Sequence, residues 1–179
     1  MKAYSRQILL IVYALLAGII PMRADGMPHD SEKAIVVIWQ ESEYPAPGRI
    51  THFPFGLIAS VWADGRVIRA TNRETVGHAY VEGRVSSKEF AEFIHFLTSS
   101  NILNTTDAYC IPVDSASRTI IVRYGGKDHK WAYGLPDNHH ILNELEARTW
   151  KLTLAKTTKV ERGEIKKQLL QGIHDHENH

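Results

Sequence analysis

Cys110 is the only cysteine in 179 residues. A single thiol excludes an internal disulfide, a CxxC redox pair and every multi-cysteine zinc site, so stability rests on ordinary burial. No apolar stretch reaches the roughly 20 residues that a bilayer-spanning helix needs. Neither sign of charge is in surplus, with 21 Lys and Arg against 20 Asp and Glu. That balance excludes the concentrated basic footprint of a nucleic-acid binder. Motifs with fixed chemistry are absent too. There is no GxSxG elbow, no GK[ST] or GxGxxG phosphate loop and no HExxH. Asp114-Ser-Ala-Ser117 lacks the glycines of a nucleophile turn, and Gly125-Gly126 lacks a phosphate-loop context.

What is there begins at the N-terminus. Met1-Lys2 to Arg6 is a short basic start, Ile8–Ile20 is an uninterrupted apolar run, and Pro21 and Ala24 follow. Thirteen apolar residues match the apolar region of an export signal, roughly 7–15 residues. The expectation is a signal peptide over residues 1–24, cleaved after Ala24, with an uncleaved anchor as the alternative because Met22 stands where a small residue is preferred. No cysteine follows the run, so a lipidated N-terminal cysteine is excluded. Residues 25–179 carry 18 basic and 20 acidic side chains, since Lys2, Arg6 and Arg23 fall in the signal. That length suits one domain, and no Pro/Gly/Ser linker divides it.

Along this domain, Ala34-Ile-Val-Val-Ile-Trp39 reads as a first strand. Glu41–Thr51 reads as a proline-rich loop in which Glu41 and Glu43 serve solubility. Phe55–Trp62 is apolar on both faces, which predicts a central strand. Asp64-Gly65 turns the chain into Arg66–Ala70, and Gly77–Val85 is a further strand. Ser86-Ser-Lys-Glu89 is a capping box. The helix behind it carries Phe90, Phe93, Ile94 and Leu97 on one stripe, with His95 off it.

Arg118–Tyr124 and Lys130–Tyr133 form a second hairpin about Gly125-Gly126. A helix capped by Asp137 or Asn138 is predicted to run to about Lys156 with Ile141, Leu145 and Trp150 inward. A last helix over Glu161–Ile173 would bury Ile165, Leu169 and Ile173. The basic cluster Lys151, Lys156, Lys159, Arg162, Lys166 and Lys167, interrupted by Glu161 and Glu164, reads as a solvated helical face. The fold class predicted is α+β: an antiparallel sheet of about five to six strands with helices packed on one face.

Candidate site residues are few. His174, His176 and His179 in the polar tail offer imidazoles at alternate positions, together with Asp175 and Glu177, and this donor set suits Zn, Ni or Cu. A flexible tail has no outer shell to orient the rings, so the stronger expectation is a polar terminus with no cofactor. His139-His140 point about 100° apart on a helix and read as one surface and one semi-buried residue. Cys110, in the apolar stretch Ala108–Pro112, reads as a buried inert thiol. Asn104-Thr-Thr106 is a glycosylation sequon, meaningful only in a host that modifies exported proteins. Among the aromatics, Trp62 and Tyr80 are expected on one sheet face. They serve there either as core or as an exposed binding patch.

Asp64-Gly-Arg-Val67, the spacing Gly77-x-x-Tyr80-x-x-Gly83-Arg-Val-Ser86, Phe90, Leu97 and Thr119-Ile-x-Val122 together resemble a loosely defined group of exported bacterial proteins of unknown function. The resemblance covers about residues 55–135. Many members of that group carry Cys-Pro before the hairpin, where this chain has His52-Phe-Pro-Phe55. It implies no activity, cofactor or site.

The expected function is therefore an exported, non-catalytic binding module acting on a protein or cell-envelope component. It would use a sheet face or the loop Tyr44–Phe55, with no nucleic-acid partner, and would meet a membrane only through an uncleaved N-terminus. A metal-binding protein using the histidine tail and a hydrolase with a noncontiguous site are the alternatives.

Overall fold

Three segments carry a run of buried, mostly apolar side chains, residues 34–38, 57–62 and 120–122, and these become the middle of the sheet. The computed structural model describes residues 33–41, 56–73, 79–105, 109–110, 117–134, 139–161 and 165. Its strands are β1 (Ala34–Glu41), β2 (Gly56–Trp62), β3 (Arg66–Ala70), β4 (Tyr80–Arg84), β5 (Tyr109–Cys110), β6 (Ser117–Tyr124), β7 (Lys127–Gly134) and β8 (Ala155–Val160). The helices are α1 (Ser87–Ser99) and α2 (His140–Lys151), with a short 3-10 turn at Asn101–Asn104. One sheet runs in the order β5-β7-β6-β1-β2-β3-β4-β8. Seven strands are antiparallel, and the two-residue β5 adds to the β7 edge in parallel. The class is α+β with an antiparallel sheet, as the sequence predicts, but five to six strands is an undercount.

β2 is buried at every position and β6 at all but the last, which follows from their lying inside the sheet, although β6 buries Ser117, Arg118, Thr119 and Arg123 along with its apolar centre. The β2–β3 hairpin closes through Gly65, whose φ of +79° an L side chain rarely adopts, and Gly65 N donates to Trp62 O at 3.0 Å. Gly125 and Gly126, also at positive φ, turn β6 into β7.

α1 starts as the capping box predicts, with Ser86 Oγ accepting from Glu89 N at 3.2 Å. The other half of the box is used differently. The Glu89 carboxylate accepts from Thr153 N at 2.8 Å and so ties the start of α1 to the chain leaving α2. Phe90, Phe93, Ile94 and Leu97 are buried as expected, Phe96 joins them, and His95 is exposed. Ser86→Ala should cost about 1 kcal/mol of unfolding free energy. Urea denaturation checks this, and an unchanged midpoint would contradict it.

α2 departs from expectation at both ends. Its N-cap is His139, and it stops at Lys151 instead of running to about Lys156. The buried positions are Leu142, Leu145, Glu146 and Thr149, while Ile141 and Trp150 are half-buried. The inward stripe is thus rotated by about one residue, because the helix turns a carboxylate and a hydroxyl toward the sheet. Thr149 Oγ1 satisfies itself by donating to Leu145 O at 2.8 Å. Beyond α2 the chain becomes strand β8, rich in β-branched Thr157, Thr158 and Val160. Lys156 and Lys159 therefore lie on an exposed edge strand, not on a helical face. A register shift opposite Glu82–Arg84 and a φ of +51° at Lys156 mark a bulge, and bulges and lysines are devices that protect an edge from pairing.

Trp62 and Tyr80 do share a sheet face by register, yet they are 0% and 3% exposed and belong to the core. His139 is half-buried and His140 exposed, as the sequence predicts. Among the described residues no helix is long and apolar enough to cross a membrane. The N-terminal segment 1–24, the loop Tyr44–Phe55 and the histidine tail all lie outside the described residues.

Candidate functional site

Two polar features stand out on the sheet face that carries Arg69 and Arg118. Alternation along each strand and the pairing between strands place these two arginines on the same side: Arg118 lies opposite Gln40, Ile38 opposite Ala59, and Ala59 opposite Arg69.

The first feature is an ion network. Glu146, 2% exposed on α2, accepts from Arg118 Nε at 3.2 Å through one carboxylate oxygen. Through the other it accepts from Arg73 Nε at 2.9 Å and pairs closely with Arg73 Nη2. The Arg118 side chain is 8% exposed and that of Arg73 is 47% exposed. Burial pushes the Arg118 guanidinium below its ordinary pKa, an effect that Glu146 opposes. Two cations share one carboxylate, so the network keeps one positive charge. This cluster joins α2 to β6 and to the connection after β3. It was not legible in the sequence, because its three members are scattered over 73 positions.

The second feature is an open groove of about 720 Å³ where the C-terminal end of α2 passes over β3, β4 and β8. A guanidinium forms its floor. Arg69 Nη1 donates to Leu152 O at 3.0 Å and also to Trp150 O, two carbonyls at the helix C-terminus, where a cation is favoured. The same guanidinium lies 5.5 Å from the centre of the Trp150 ring. Leu154 forms one wall and crowds the backbone of Gly83: a Cβ built there would stand 2.9 Å from Leu154 Cβ. Thr71, Thr153 and Thr157 supply hydroxyls, and Lys151 a further cation. The volume is within the range of small-ligand sites, about 300–1,000 Å³.

Of the residues singled out from sequence, Lys151 and Trp150 line this groove, and Trp150, expected inward in the core, is half-buried. The tail residues His174, His176 and His179 lie outside the described residues. Among the described residues no group of three or more His, Cys, Asp or Glu is placed to hold a metal. Cys110 falls in β5, paired with Tyr133. Asn104 is exposed at the end of the 3-10 turn, where its side chain donates to Asn101 Oδ1 at 3.0 Å. Comparison with protein-family models, with curated proteins and with solved structures gives no match.

Proposed function

We propose that this protein is an exported, non-catalytic binding module of the cell envelope, and that the groove between α2 and strands β3, β4 and β8 is where it binds. In this reading residues 1–24 direct export, and both helices gather on the sheet face carrying Arg69 and Arg118. The observation that carries the proposal is the groove itself. A half-buried tryptophan, hydroxyls and two cations surround a concavity of ligand size.

The walls offer threonine hydroxyls beside Arg69 and Lys151, groups suited to holding a polar ligand. The partner class is a protein or cell-envelope component. A hydroxyl-rich or anionic group suits the threonines, Arg69 and Lys151.

Leu154→Arg would fill the groove from its wall. The variant should keep the parent's far-ultraviolet spectrum and lose capture of the envelope partner by the purified protein. Full retention of capture would remove the groove from the account.

A further inference from the structure

Arg69, Val81 and Lys159 form one row across three strands, since Arg69 pairs with Val81 and Val81 with Lys159. Residues directly opposite each other project from the same side of a sheet. Lys159 therefore joins Arg69, Val81 and Thr157 on the groove side. Two strand gaps, about 10 Å, separate the backbones of the two cations. Lys151, at the end of α2, is a third cation on the same groove.

Both lysines are exposed, and neither forms an ion pair among the described residues. Two carboxylates on neighbouring elements are turned away or occupied. Glu82 falls on the opposite face by register, and Glu89 accepts from Thr153 N. Arg69 is anchored, because its Nη1 donates to the carbonyls of Trp150 and Leu152.

We propose that the ligand of this groove is an acidic glycan, a sugar chain with a carboxylate on each ring. The assignment rests on the groove being the binding site, and it names what that site takes. The spacing of the cations favours a chain over a small anion. One carboxylate bound at the anchored Arg69 leaves Lys159 to water, whereas a repeated charge meets both. Thr71, Thr153 and Thr157 carry hydroxyls that donate and accept, as the hydroxyls of a sugar do. Val81 lies between Arg69 and Lys159, and Trp150 beside Arg69. Both give apolar surface to the C–H faces of sugar rings. A polyglutamate segment would match the cations, but it offers no ring to Trp150 and no side-chain hydroxyl to the threonines.

The test is isothermal titration calorimetry of the purified protein at low salt with tetrasaccharides of galacturonate, mannuronate and guluronate. Neutral maltotetraose and tetraglutamate are the comparisons. At least one acidic tetrasaccharide should bind about tenfold or more tighter than either comparison. Lys151→Gln combined with Lys159→Gln should weaken that binding about tenfold and leave the far-ultraviolet spectrum unchanged. Lys88→Gln, at an exposed position on α1, should leave the affinity as it is. No binding of any of the three acidic sugars would overturn the assignment. So would equal binding of tetraglutamate or maltotetraose, or an affinity unmoved by the lysine pair. Partner capture with Leu154→Arg reads the groove separately. Capture lost there with no glycan bound here removes the acidic glycan and keeps the groove, while capture retained there removes both.

Discussion

Glu146→Gln should lower the unfolding free energy by about 3–5 kcal/mol, far more than any surface charge change in this protein. The substitution preserves shape and removes one negative charge. It leaves the Arg118 guanidinium, with a side chain only 8% exposed, without its anionic partner. The desolvation that already lowers the Arg118 pKa is then no longer opposed by Glu146.

The matched control lies on the same helix. Glu144 pairs with Arg148 at 2.8 Å one turn on, with side chains 34% and 51% exposed, and Glu144→Gln should cost about 0.3–0.5 kcal/mol. Replacing Arg118 and Glu146 together by methionine should recover most of the loss, because apolar groups of similar volume need no partner. Denaturant titration of the four proteins checks the ranking. A loss below about 1 kcal/mol for Glu146→Gln would show that the buried charge is satisfied some other way.

Trp62→Ala should cost a comparable amount, about 3–5 kcal/mol. Trp62 is fully buried at the end of β2, and Arg66 from the next strand places its guanidinium 4.0 Å from the ring centre. Truncation leaves a cavity at the β2–β3 hairpin and removes the cation–π contact at once. For a domain of this size the loss corresponds to a fall in Tm of roughly 6–20 °C, at about 2–4 °C per kcal/mol. Trp62→Phe should restore most of it. A Tm within a degree or two of the parent for Trp62→Ala would place the residue outside the cooperative core.

The parts of the fold read correctly from sequence were those governed by local rules. Asp64-Gly65 and Gly125-Gly126 fixed two hairpins because only glycine takes those backbone angles cheaply. The Ser86 cap and the Phe90–Leu97 stripe fixed α1. β8 was missed because lysines and threonines after a helix carry no apolar period of their own. Its identity comes from pairing with β4 seventy-odd residues earlier. The same limit hid the sites. Arg69, Leu154 and Gly83 meet only through tertiary packing, as do Arg73, Arg118 and Glu146, and no spacing in the sequence links them.

The decisive measurement places a photoreactive residue at Thr157, exposed on the groove wall, and compares it with one at His95, exposed on α1, in cells that express the protein. A binding module that works through the groove should give one dominant adduct from position 157. That adduct should vanish when Leu154→Arg is added, and position 95 should give none. Equal adducts from both positions, or an adduct at 157 unaffected by Leu154→Arg, would contradict the account.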